Sequence, residues 1–411
     1  MQAAYPFLFI AEFIIFALLF VFLQLTPLKI WISKGNNFRT LLLGILGLHI
    51  VSAGLLTQEV TDVMLSGAAG WHIRHGLDFY AIDAGHGQYP YFPFLLGIHA
   101  LLNWITEEFH FFTFSFYLKV FLLLPALYMI SLVVYKQSIT ITQARQQVLL
   151  LLVNPITYGV VIFHGQSDVV VVCLFLMSIH FLQVKTKSGQ KMFMSALLYA
   201  ASIGAKTWSF VFFPIMTRFF KKKREIVMYV VIVSMMLTAN VFIYTRLISG
   251  ARLSDVFGAV LAAGGPMGVW GISLFAKVYP PLLAYIQIYR TPLFAILWLG
   301  VAVVVLKRRL GFWVSCLHLV IGLYLILLTW GVQYLFWTIP FIFLNWELLD
   351  KKHLFLFWVL SSTYLFGNYL NIAFAQNVIY TEVIHLLGVI LWLFFGWWFV
   401  SLQKSKFLHT S

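Results

Sequence analysis

Apolar runs of about twenty residues, separated by short connections rich in lysine and arginine, constrain this chain more than any other feature. A helix rises about 1.5 Å per residue, so roughly 20 apolar residues cross a ~30 Å hydrocarbon core. Inside lipid each backbone N–H and C=O must be paired within its own segment, which makes helices the default. The alternating ten-residue strands of a membrane barrel are not visible. Of the 411 residues, 62% are hydrophobic and only 10% charged. Soluble domains carry about a quarter charged residues, so this chain cannot cover itself with a water-compatible surface. The expected fold is an all-α polytopic membrane protein with about 11 transmembrane helices.

Spans are predicted at 6–26, 40–57, 111–134, 147–164, 167–184, 226–249, 291–306, 312–330, 331–346, 353–371 and 382–401. Two shorter apolar arms, 192–205 and 207–217, form a two-armed hairpin with basic residues at both ends. The net charge of +14 does not indicate nucleic acid. Twenty of the 27 basic residues lie in seven clusters between apolar runs, such as Arg218/Lys221/Lys222/Lys223/Arg224 and Lys307/Arg308/Arg309. The positive-inside rule puts those connections in the cytoplasm. With 13 crossings all seven clusters fall inside, the N-terminus lies outside and the C-terminus inside. The first run has no basic n-region and reads as a retained span rather than a signal peptide. One membrane domain, 1–411, is expected, with outer loops at 58–110 and 250–290. The first carries interfacial helices (60–76, and an apolar piece at 93–106); the second is glycine-rich and is expected to form turns and a mobile loop. Cys173 and Cys316 sit in apolar runs and have no metal-ligand spacing.

Nine of the 13 acidic residues fall on the outer side in this topology. Asp62 and Asp168 stand out because each lies at a span end in a short polar patch. Asp62 also reads as part of a Thr61-Asp62 helix cap. A group of Trp71, His72, Arg74 and His75 follows it, then Asp78-Phe79-Tyr80 and Gln88-Tyr89-Pro90-Tyr91. Carboxylates accept hydroxyl protons, guanidinium and imidazolium neutralise phosphate, and rings stack on sugars. A second polar turn holds Asn154-Pro155 and His164-Gly165-Gln166-Ser167-Asp168. Lys206 stands at the tip of the hairpin, where a lysine either reaches the interface or holds an anionic partner. A carboxylate at an apolar interface is expected to have its pKa raised by desolvation.

In their order these motifs resemble the GT-C superfamily of membrane glycosyltransferases. They are most similar to bacterial proteins related to the second mannosyltransferase of GPI-anchor synthesis, and more distantly to the dolichyl-phosphate-glucose-dependent glucosyltransferases of N-glycan assembly. The family's early Asp matches Asp62; its "hG…FY" stretch matches His75-Gly76 with Phe79-Tyr80; its "YPP" matches Tyr89-Pro90-Tyr91. "NP…WGQxD" matches Asn154-Pro155 and His164 to Asp168, a later K and P match Lys206 and Pro214, and "QYxxWxxP" matches Gln333-Tyr334, Trp337 and Pro340. Three positions depart from the pattern: His164 replaces a Trp, Tyr91 the second Pro, and Gln88 an acid.

The resemblance implies an inverting transfer of a hexose, mannose or a similar sugar, from a polyprenyl-phosphate donor to a lipid-linked or glycan acceptor on the extracytoplasmic face. It implies Asp62 as general base, and Lys206, Arg74, His75 and His164 at the donor phosphate. Asp168, Gln166, Tyr80, Tyr89, Gln333 and Tyr334 are expected to bind sugar or acceptor. No cofactor is compelled, a divalent metal stays open, and membrane lipids are the surrounding partners. A bacterial cell membrane is the expected location rather than the endoplasmic reticulum. On the residues alone, a lipid or solute transporter also fits charged groups in a helical bundle. So does a membrane acyltransferase or polysaccharide polymerase using His180 or His318.

Overall fold

The computed structural model describes residues 5–57, 61–82, 91–183, 188–248, 250–262, 269–276, 279–308, 310–373 and 378–404. Among these the regular structure is helical, with no strand. Among the described residues, six helices are long and apolar enough to cross a membrane: Tyr5–Phe22 (α1), Gly35–Leu55 (α2), Phe114–Gln137, Lys223–Leu247, Arg290–Lys307 and Thr381–Lys404. They become seven if the bent pair Ile141–Val153 and Pro155–Phe163 is one span. The protein is therefore an all-α, multi-pass integral membrane protein. The count of eleven long spans is not reproduced. Asp168–Gln183, Phe312–Ile326 and Val332–Leu344 are apolar but shorter. Lys351–Ala373 is a helix of 23 residues, but Asn368 and Asn371 dilute its apolar run.

The chain forms two compact units. One comprises residues 19–153 and 160–263. In it, Thr61–Arg74 (α3) lies against Leu96–Phe109 (α4). The small residues of Gly67-Ala68-Ala69-Gly70 permit that approach. A Cβ on Gly70 would meet the His99 carbonyl oxygen at 2.4 Å, so only glycine fits there. Thr113 caps the helix at Phe114 by accepting from the Phe116 N–H. Phe114–Gln137 (α5) contains a π-helical turn, Lys119–Leu123. Asp168–Gln183 (α6) and Ser188–Ala205 (α7) pack on each other and on Lys223–Leu247 (α8). The buried hydroxyls of Ser178, Ser195 and Tyr229 join the three helices at 2.9–3.3 Å. The apolar arms expected from 192 to 217 are a full helix, α7, and a tighter arm of 3-10 turns around Phe213–Met216. Lys206 lies between them with an extended backbone.

The other unit comprises residues 1–18, 154–159 and 264–411. Within it the Glu12 carboxylate accepts from the Tyr158 hydroxyl at 2.9 Å, which satisfies an acid placed in the first span. Asn154 caps the turn that follows by accepting from the Ile156 and Thr157 N–H groups. A stack of Trp270 on Trp330, with centroids 3.7 Å apart, forms an aromatic core with Tyr324. In the second outer segment, the centre of the glycine-rich stretch expected to turn, 263–268, lies outside the described residues, as do 277 and 278. After it, this unit has the short helices Gly271–Ala276 and Pro280–Ile288, which bury Ala276 and Ile286; before it, Leu253–Ala262 is a helix of the first unit.

Candidate active site

Four sequence segments meet at one cleft in the first unit. Asp62 lies in the first turn of α3 rather than at its cap, where a carboxylate complements the helix dipole. His164 to Ser167 form the turn between the π-helical segment Tyr158–Phe163 and α6. Gly165 adopts φ +74°, a left-handed conformation that favours glycine. Asp168 opens α6, and Lys206 occupies the break after α7. Asp62, Gly165, Gln166, Ser167 and Lys206, together with Tyr91, Leu95 and His99, border a small open cleft.

The polar groups form one continuous chain. Trp208 Nε1 donates to Asp168 Oδ1 at 3.1 Å, and Lys206 Nζ donates to Asp168 Oδ2 at 2.6 Å. Lys206 Nζ also donates to Gln166 Oε1 at 3.0 Å and lies 5.1 Å above the Tyr91 ring. Gln166 Nε2 in turn donates to Asp62 Oδ2. Gln166 Nε2 also lies 2.9 Å from His164 Nε2, which is 3.5 Å from Asp62 Oδ2.

Exposure separates the two acids. The Asp168 side chain is fully buried and its ammonium partner is 4% exposed, so this is an ion pair removed from solvent. The Asp62 side chain retains 43% of its surface, facing the cleft. Asp62 is thus the carboxylate that a ligand can reach. Its pKa departs from expectation. Burial is the largest single influence and raises the pKa, but the His164 hydrogen bond and charge, then Lys206 and Gln166, outweigh burial. The group is held well below the usual carboxylate range, ionised and acceptor-only. Burial pushes His99 down to about 4, so that ring brings no charge to the cleft at neutral pH.

Arg74, His75 and Tyr80 do not border the cleft. Arg74 bonds Asn103 at 3.0 Å and pairs with Glu107, while His75 stacks on Trp71 with centroids 4.1 Å apart. The Tyr80 hydroxyl donates to the Tyr91 carbonyl at 2.5 Å and fixes the backbone that carries the Tyr91 ring. Tyr89 lies outside the described residues. Gln333 and Tyr334 belong to the other unit, in the 3-10 turn Val332–Thr338, where Tyr334 stacks on Trp337.

Sequence reasoning passed over Lys119. It is fully buried in α5 and donates to the Leu56 carbonyl, at the C-terminus of α2, at 2.7 Å. Its Cε would sit 3.4 Å from a Cβ on Gly165. The argument that singled out Lys206, a lysine in an otherwise uncharged apolar run, applies equally to FTFSFYLKVFLLL. Trp208 and His99 had no such signal, since an indole or imidazole beside apolar residues is ordinary packing. Among the described residues no three His, Cys, Asp or Glu side chains are grouped to hold a metal ion. No protein-family model, curated protein or solved structure matches this chain.

Proposed function

We propose that the protein is an inverting glycosyltransferase. It moves a hexose from a polyprenyl-phosphate donor to a lipid-linked or glycan acceptor on the extracytoplasmic face of a bacterial cell membrane. In this reading the short apolar helices and the α7 hairpin complete the eleven-span, GT-C-like bundle. The observation that carries it is the Asp62 carboxylate, open to a cleft whose wall also presents the Lys206 ammonium. An acceptor hydroxyl entering the cleft meets the carboxylate oxygen of Asp62 that Gln166 leaves open and displaces His164. Losing the His164 contact raises the basicity of the carboxylate where the proton is to be taken. The hydroxyl proton passes to Asp62, the acceptor oxygen bonds to the anomeric carbon, and the bond from that carbon to the phosphate oxygen breaks. The leaving group is polyprenyl phosphate, whose negative charge Lys206 meets at the cleft wall. Asp168 keeps that ammonium in place between turnovers. Transfer with inversion places base and leaving group on opposite sides of the sugar, which a cleft with an acid and a cation accommodates.

Membranes or proteoliposomes with the full chain, given radiolabelled polyprenyl-phosphate hexoses and acceptor lipid extract, test this directly. Asp62→Asn keeps the shape and removes the base, so turnover should fall roughly a hundredfold or more while donor binding survives. Near-normal turnover in Asp62→Asn sinks the assignment. A transporter is the rival class, since the buried Lys206–Asp168 pair is of a kind that substrate pathways also use. It would move labelled polyprenyl-phosphate hexose or solute between compartments without forming a new glycosidic bond.

A further inference from the structure

The amide of Gln166 can adopt only one orientation. Lys206 is a donor without an acceptor, and ionised Asp62 is an acceptor without a donor. The amide lies between them, with its oxygen 3.0 Å from Lys206 Nζ and its nitrogen on Asp62 Oδ2. Turning it over would set an N–H against the ammonium and an oxygen against the carboxylate. Gln166 is itself 1% exposed, and its backbone N–H is tied to the Val160 carbonyl at 3.1 Å, so the side chain starts from a fixed point. Lys206 is anchored in turn by Asp168, and Asp168 by Trp208.

We infer that Gln166 is a positioning residue. Oriented by the buried Lys206–Asp168 pair, it holds Oδ2 of Asp62 and leaves the other carboxylate oxygen for the acceptor. The inference rests on reading Asp62 as the base. It adds that the pair governs the geometry and proton affinity of that base through one neutral amide. Asp62 is the charged end of a relay whose far end, at Trp208, lies on the second arm of the hairpin.

The groups facing Asp62 are few enough to make a sharp test. His164 and Gln166 approach it from the turn before α6, and Lys206 from the break after α7. Tyr91 and His99 border the same cleft, and Lys119 lies behind Gly165. Arg74 and Glu107, farther along α3 and α4, neutralise each other. Among the groups that lower the pKa of Asp62, Lys206 and Gln166 are the two that the relay invokes.

The test reads the carboxyl of Asp62 by infrared difference spectroscopy across pH. It uses the purified full chain in lipid nanodiscs, the band being assigned by its loss in Asp62→Asn. Gln166→Leu and Lys206→Met should both move the titration to higher pH, by about tenfold or more in proton affinity. Asp168→Asn disturbs the same network but leaves the ammonium, so it should not move the titration upward. A wild-type-like titration in Gln166→Leu overturns the inference. So does an upward shift shared by all three variants, which would mean general loosening of the turn. Gln166→Asn, whose amide is one methylene short, supplies the rescue: it should recover part of the shift seen in Gln166→Leu, and no recovery counts against an amide-specific role. The readout needs no substrate. The expected shifts together with normal transfer by Asp62→Asn would leave the positioning standing and overturn the glycosyltransferase base, so the two readings fail separately.

Discussion

Breaking the Lys206–Asp168 pair should be among the most destabilising single changes in the site. The atoms are 2.6 Å apart, with side chains 4% and 0% exposed. At an effective dielectric of about 20, two unit charges at that distance attract by about 6 kcal/mol. Desolvation offsets much of this in the intact pair, but removing one partner leaves the other buried without compensation, at a cost of about 3–5 kcal/mol. Lys206→Met removes the ammonium from a buried Asp168 carboxylate that also accepts from the neutral Trp208 indole, and Asp168→Asn removes the carboxylate from an ammonium that also faces Gln166 and the Tyr91 ring. The double variant Lys206→Met/Asp168→Asn removes both charges and should be much less damaged than the sum of the singles. Reversible unfolding in mixed micelles of mild detergent and dodecyl sulfate gives the four free energies of the cycle. The expected coupling is about 3 kcal/mol or more. Additive singles, or singles costing less than about 1 kcal/mol as for a solvated surface pair, would refute the assignment of a dry, mutually dependent pair.

Gly165→Ala tests the turn. It imposes a left-handed cost of about 1–2 kcal/mol, and its Cβ would come within 2.8 Å of Val63, next to Asp62. Displacing the base by ~1 Å can cost on the order of a hundredfold in rate, so turnover should fall in protein that still folds, and an unchanged rate argues against the turn as a positioning element. Lys119→Met leaves the Leu56 carbonyl without its ammonium donor; the same unfolding assay should show a loss of about 1–3 kcal/mol, and a loss indistinguishable from zero refutes the role. Cysteines at His110 and Lys222, both exposed, should react with impermeant reagent from opposite sides of the membrane. Labelling of both from one side would overturn the charge-based topology.

Much of the site was legible because buried charge is rare in a chain this apolar. Asp62, Asp168 and Lys206 drew notice as charges at the ends of apolar runs, and His164 and Gln166 as members of a polar turn. Their roles were not legible. Asp168, expected to bind substrate, has both oxygens engaged within the protein, while Asp62 keeps an open face. The expected rise in the pKa of Asp62 also reversed. Desolvation acts as foreseen, but its opponents come from residues more than 100 positions away in sequence. Arg74 and His75 looked like phosphate ligands from their nearness to Asp62 along the chain. A helix carries residues 12 and 13 positions on to a point some 18–20 Å away at 1.5 Å per residue, where Arg74 finds Glu107 instead.

The sequence by itself determined the solvent: apolar runs this long and this uncharged belong in lipid, and lipid admits helices because it offers the backbone no other partner. It also determined helix breaks at Gly165 and at Lys206, since left-handed glycines and lone charges in apolar runs act over a few residues, but not the bend at Asn154-Pro155, which falls inside the expected span 147–164. Which breaks meet was decided by tertiary structure alone. Gly70 lets α3 close on the His99 carbonyl, and the ammonium of Lys206 has Asp168 and Gln166 within reach across some 40 positions of chain. Such pairings depend on energies that fall as the inverse of separation in space and have no counterpart in separation along the chain. Hence the composition reveals a membrane protein, and only the fold joins an open carboxylate to a locked ion pair through one glutamine.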